Sequence, residues 1–472
     1  MKKTLIALAV AGLSFNAAAV NFDNGTSVAV FAKEIQISAA GTTLGTTVAE
    51  KALESTASLG FSITEGNKRY IRFDVTNAEF DKAFVDASLT VVSGADAGVV
   101  KVSQQSASFV IFEVAAPAGQ NIAPDAVVTF LADNHVVVKS ATDVKVSYRL
   151  FETAIDAVNN DASKALNKKD GTLLTFANAL EARVVTKGSV DKIDVNSESK
   201  KFLNNASPAV VVDNTIVGSI AMGIADTDAT TAGVQAARLA SGVKVIAVTD
   251  ILAAAGSKLT VSGDLSAGLV NAQNELQVGT LTLGGNPATT IAADKAEFAL
   301  NAATAASDIV YTVQGVKAIA PQTMTAVFTP VAKAGFEVAP INLGEIGTLV
   351  KNGSSAIANL VLAPDTSYTN LVRISNTSGL AGKFFVTVIA DDGKEVSFPL
   401  SDVAGQPAAL DAGASTKQMK VADIYAAAEA KGLALTGDKK LRLKVEGEVA
   451  SLSLQNYTVS KDGNALNTMN AF

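Results

Sequence analysis

Apolar and polar residues alternate along most of the chain, which is the period of strands with one buried face. In RYIRFDV, Tyr70, Arg72 and Asp74 face one way while Ile71, Phe73 and Val75 face the other. KFFVTVIADDGKEVSFPL predicts a hairpin. Phe384, Val386 and Val388 share a face, Asp391-Asp392-Gly393 supplies the turn, and Val396 and Phe398 lie on the returning strand. KKLRLKVEG sets Leu441, Leu443 and Val445 against Lys440, Arg442 and Lys444. ASFVIFEV, AVVTFL, HVVVK and IVYTVQG follow the same pattern, with Gly, Asn and Asp between the runs. The expected fold is mainly β, with several β-sandwich-like domains and a few short helices.

Two helices interrupt the strands. TAIDAVNNDASKALNKKDG places Ile155, Val158, Ala162 and Ala165 on one stripe, with lysines in the last turn and Gly171 as its stop. VADIYAAAEAKG stripes Val421, Ile424, Tyr425 and Ala428, with Gly432 ending it. The second helix resembles an earlier stretch that begins at Val248. Both read V-x-D-I-x-A-A-A, then Leu259 or Leu433, then Gly263-Asp264 or Gly437-Asp438. Such a repeat predicts one unit used twice, a short helix followed by a strand. A shift in composition across VAKAGFEVAPINLGEIGTLVKNGSSAIANL suggests a boundary near residue 340, and a second is expected after Gly171. The organisation expected is residues 20–170, 171–339 and 340–472 behind a leader.

That leader is residues 1–19. Lys2 and Lys3 precede an apolar run from Leu5 to Leu13, and Ala17 and Ala19 satisfy a small-x-small cleavage signal, so cleavage is expected after Ala19. No other stretch is apolar for the roughly 18 residues of a membrane helix. Export is therefore expected, with no transmembrane segment in the mature chain.

Composition narrows the function. Apolar residues make up 48% of the 472, ample for packed cores. The formal charge is −7, and without Lys2 and Lys3 it is −9, from 36 basic residues against 45 acidic. Such a balance argues against nucleic acid, whose phosphates reward basic surfaces. The chain has no cysteine, so its domains rely on burial and strand pairing rather than on disulfides.

Catalytic chemistry is sparsely provided. The one histidine, His135 in LADNHVVVK, has no evident triad around it, and no G-x-S-x-G, H-E-x-x-H or phosphate-loop motif occurs. Zinc would find no thiolate. Paired carboxylates alone suffice for a glycosidase, but sugar platforms are scarce in a chain with no Trp and six Tyr. The expectation is no enzyme and no cofactor, with calcium left open. The best oxygen clusters are Asp226 and Asp228 in ADTDATTAG and Asp391 and Asp392 in ADDGK, each equally readable as a solvated turn. Lys439, Lys440, Arg442 and Lys444 form a basic row that would suit a polyanion or polysaccharide, or would guard a strand edge against unwanted pairing. Lys68, Arg69 and Arg72 in GNKRYIRF form a second, smaller one.

A large exported β chain without an evident active site works through its surfaces. The leader MKKTLIALAVAGLSFNAAA, the following VNFDNGTSVAVFAKEI and the overall size resemble the surface-layer (S-layer) proteins of aeromonads. TNLVRISNTSGLAGKFFVTVIADDGKEVSFPLSDVAG is similar to a β module of Gram-negative surface proteins. The resemblance implies self-assembly into a two-dimensional array outside the outer membrane, held by the O-chain of lipopolysaccharide, with no catalytic residues to carry over. The alternative is a fimbrial or filament subunit or an adhesin, with SVAVFAKEIQIS as a donor strand. An outer-membrane barrel fits poorly, because NALNTMNA before Phe472 lacks an aromatic girdle.

Overall fold

Residues 20–23, 28–94, 96–188, 191–204, 206–207, 210–227, 236–362, 368–434, 440–460 and 466–470 are described by a computed structural model. The expected leader and its expected cleavage residue Ala19 lie outside them, as do Asp228 and Lys439. Nearly every alternating run forms the expected strand, and the fold is mainly β. No helix among the described residues is long and apolar enough to cross a membrane.

In the first unit, a six-stranded sheet faces a five-stranded one. The six-stranded order is Ala29–Ala32, Asn167–Ala177, Val144–Phe151, Lys68–Thr76, Phe109–Ala115 and Val99–Gln105. Central in the other sheet is Val127–Leu131, between Glu54–Ser58 and Leu89–Ser93. The inward residues follow the sequence period: Ile71, Phe73 and Val75 are buried, and Phe73 stacks on Phe130 of the opposite sheet at 4.1 Å between ring centres. Stacked aromatic rings add to the area they remove from water, and here they tie the two layers together.

The first helix is shorter than its pattern. Helix α1 covers Ala154–Asn159 and ends at Asn160, which takes a left-handed conformation at φ +55°. Its apolar stripe is not buried: Ile155 is 68% exposed, and Ala157 packs inward instead. Gly171 stops no helix. It sits inside the strand Asn167–Ala177, opposite Val146 and under the ring of Phe22. The turn at Asn160 and the Leu166 N–H bond to the Leu150 carbonyl pull the chain into the sheet before a second helical turn can pack.

The second unit has two five-stranded sheets, centred on Thr304–Thr312 and Lys258–Ser262. The third has two four-stranded sheets and helix α2, Val421–Ala430, which buries Val421, Ile424, Ala427 and Ala428 while Tyr425 is half-buried. The hairpin Phe384–Ala390 with Glu395–Pro399 forms as expected, Val388 opposite Val396, with Gly393 at φ +83° in its turn. The two copies of V-x-D-I-x-A-A-A differ. Val248–Asp250 is a single 3-10 turn. The Asp250 carboxylate accepts the Ile246 and Ala247 N–H groups, and Ala253 donates to the Val331 carbonyl, so this copy leaves the helix for a strand contact.

Strand pairing reaches across both expected boundaries. The strand Asn167–Ala177 runs through residue 171, and Ile341–Leu349, just past residue 340, pairs back with Gln322–Thr329. One continuous core reaches from Val20 to Leu349, and a separate one from Ala358 to Leu454.

Candidate functional site

The charged residues that look available in the sequence are mostly used within the fold. Lys68 pairs with Glu113 at 2.6 Å and Arg69 with Glu152 at 3.7 Å. Arg72 is buried, held by Asp74 at 2.6 Å, and donates to the Ala157 and Val158 carbonyls at the end of α1 while stacking on Phe109. It acts as the cation that a helix C-terminus favours. The GNKRYIRF patch is therefore structural.

The second basic row keeps more of its surface. Leu441–Gly447 turns its apolar side chains into the core and its charged ones outward. The strand lies between Ser354–Val361 and Phe384–Ala390, so Arg442 and Lys444 guard no sheet edge. This corrects the edge reading. Lys444 pairs with Glu446 at 2.7 Å, Arg442 is exposed, and Lys440 is exposed just ahead of the strand. The row faces solvent beside Ile357 and Ile389.

Of the calcium candidates, Asp392 is engaged by Lys394, whose backbone N–H it accepts at 3.1 Å and whose ammonium it meets at 2.9 Å. Lys394 holds this carboxyl below its ordinary range. Asp391 is exposed beside it, and Asp226 is exposed at the end of its strand. Among the described residues, no group of three or more His, Cys, Asp or Glu could hold a metal ion. His135 stacks on Phe84 at 4.1 Å, and its Nδ1 meets the Lys82 carbonyl. Burial pushes its imidazole pKa down from the ordinary value.

Two joints connect the units. At the first, residues 237–245 dock on the outer edge of Ala29–Ala32: Ala32 donates to the Arg238 carbonyl and Arg238 to that of Val30, both at 2.8 Å. Gly45 and Thr47 donate to the carbonyls of Ala240 and Ser241. Ala29–Ala32, inside SVAVFAKEIQIS, is thus paired on both sides within its own chain. The buried Glu34 carboxylate accepts the Ala179 and Leu180 N–H groups at 2.9–3.1 Å, clamping the passage between the first two units. Beneath the docked segment Asp133, 2% exposed, accepts from Leu53 at 3.2 Å. Burial raises its pKa to about 6 against the opposing pull of those bonds and of Arg238. Gly45, at φ +68°, lies so close that a Cβ would meet Asp133 Oδ1.

At the second joint, Ile193 donates to Val350 and Asn352 to Ile193. The Asn352 side chain accepts from Val195 at 2.8 Å and donates to Asp194 at 3.0 Å. Lys351 meets Glu448 at 2.9 Å. Beside this pair opens a groove of about 470 Å³, walled by Glu198 and Ser199 on one unit and by Leu380 and Lys383 on the other. The buried carboxylates and Arg238 were missed in the sequence. Their one signal is a charge interrupting an apolar run, as Glu34 does in FAKEIQIS.

Comparison with known proteins gives a family over nearly the full length. The model of the family described as S-layer protein Slr4 matches residues 5–464. No curated protein matches. Among solved structures, a Corynebacterium diphtheriae chain described as membrane anchored is 9% identical, with 93% of this chain and 88% of that chain covered at a TM-score of 0.22. A DUF4785 family protein from Legionella pneumophila is 8% identical, with 89% and 88% covered at 0.12. Scores this low carry no argument about fold or function. The family match spans both joints and reaches into all three units, and by it this chain belongs to the Slr4 family of S-layer proteins.

Proposed function

We propose that this chain is the repeating subunit of a two-dimensional array on the outer surface of a Gram-negative cell, held there through the O-chain of lipopolysaccharide. The family match over residues 5–464 carries the reading, since an S-layer family is structural and sits at the cell surface. The architecture supports it. A lattice needs subunits that keep their shape while repeated contacts form, and the continuous core from Val20 to Leu349 gives such a body without disulfides.

Electrostatics supplies the control. An excess of acidic residues keeps monomers apart in solution, and cations or salt screen that repulsion during assembly. Calcium acting diffusely on the acidic surface is one such cation. Lys440, Arg442 and Lys444 offer the C-terminal unit as the face that meets acidic sugars of the anchor.

Electron microscopy of cells and of purified protein, with and without calcium, tests the reading. A planar lattice that vanishes when the gene is deleted supports it, and its release from cells lacking O-chain supports the anchor. Fibres would favour the filament alternative, and a dispersed monomer on a bare cell would overturn the array. Assembly that ignores both calcium and salt would remove the screening argument.

A further inference from the structure

The sheet edges of this protein are not treated alike. An open edge exposes unpaired N–H and C=O groups and invites another strand, so proteins usually block it with charge, proline or cover. The outer edge of Val99–Gln105 is covered, Val102 donating to Asp86 and Phe84 to Gln105. Ala29–Ala32 is covered by the segment around Arg238. Leu180–Lys187 carries the Glu181–Arg183 pair. Glu395–Pro399 begins with a charge and ends with a proline.

Ser354–Val361 is the exception. It is the outermost strand of its sheet, paired with Leu441–Gly447 on one side. Among the described residues it is the longest edge strand with neither a charged residue nor a proline. Ser355, Ile357, Asn359 and Leu360 are exposed, Ile357 at 39%. It lies close to Leu452–Ser460 of the other sheet, and its far end is held there by Asn456 donating to the Leu360 carbonyl at 2.9 Å.

We infer that Ser354–Val361 is a self-assembly edge, which pairs antiparallel with the same strand of a second copy across a two-fold axis at Ile357. The inference rests on the array reading above, which makes a second copy the partner present in excess. An uncharged edge suits that partner, because two like strands meeting across a two-fold bring no like charges together. Centred on Ile357, the pairing sets Ile357 against Ile357 on the outer face and keeps each strand's buried side on its own core. Two four-stranded sheets then become one.

The absence of cysteine makes the test clean. Ile357→Cys places one thiol at the axis, where paired strands bring Cα atoms within disulfide range. Ser397→Cys, on the same outer face but at the far edge of the sheet, is the control. Under mild oxidation of assembled protein, Ile357→Cys should give covalent dimers and Ser397→Cys none. Ile357→Glu, at an exposed position opposite Lys444, should leave the melting temperature unchanged and reduce assembly at least tenfold, because it sets two carboxylates against each other at the axis. Arrays that form while Ile357→Cys stays uncrosslinked, or that Ile357→Glu leaves intact, overturn the edge pairing alone. A wild-type chain that forms no array on cells or in solution overturns the subunit reading beneath it.

Discussion

The two joints solve the same problem with different materials. The first joins its units through backbone pairing from several distant segments, a buried carboxylate and a shared core. Among the described residues, the second has one bridge, one asparagine and one ion pair, and the core ends at Leu349 before a new one begins at Ala358. Buried hydrogen bonds to a charge are strong and costly to lose, whereas a partly exposed ion pair contributes little. The first joint therefore makes two units behave as one body, and the second leaves the C-terminal unit as an appended module. In the proposed array, that difference would let the C-terminal unit adjust to a neighbour while the body keeps its shape.

Glu34→Ala should test the contrast most severely. It strands the buried Ala179 and Leu180 N–H groups and should cost about 4 kcal/mol. Thermal unfolding is the readout, and the transition of the whole body should move, not that of the C-terminal module. A shift confined to one small unit would break the claim of a single body.

Asp133→Asn sharpens the picture through pH. The folded pKa of Asp133 lies near 6, above the ordinary aspartate value of 3.8. The favourable contribution is therefore present below about pH 4 and is lost as the pH rises through 6. The difference is about 3 kcal/mol at the usual cost per pKa unit. Glu50 and Glu54 lie near this cluster with Arg238 and shape the same titration. Melting temperatures from pH 4 to 7 should fall with pH in the wild type and show a flatter profile in Asp133→Asn. Equal slopes would show that Asp133 does not titrate in this window.

Lys351→Met should have the smallest effect, about 0.5 kcal/mol, because its pair with Glu448 is partly open to solvent. Limited proteolysis near residues 350–353 should quicken slightly, and added salt should bring the wild type to the rate of the variant. A large loss would mean that the second joint is as firmly built as the first.

Much of this was legible in the sequence. The period-two runs at Ile71–Val75, Phe384–Val388 and Leu441–Val445 lie where their pattern puts them, since a half-buried strand needs little beyond alternation. Helix α2 was legible for the same reason, its stripe having a core to meet. Helix α1 and the Val248 copy were misread because a stripe becomes a helix face only when something packs against it. At both places a short turn and a backbone bond to a neighbouring strand intervene. Of the candidate site, the outward charges Arg442 and Lys444 were legible, while their place on an inner strand was not.

By itself the sequence determined the β class, the cysteine-free acidic chemistry and the faces of most strands, because these depend on residue type and on neighbours two or four positions away. The tertiary structure alone decided which charges are buried, which edges are open and which units share a core. Glu34 meets Ala179, Asp133 lies under Arg238, and Ser354–Val361 ends a sheet through contacts between residues far apart in the chain. No local pattern encodes the distance between such residues, so only the folded chain could bring them together.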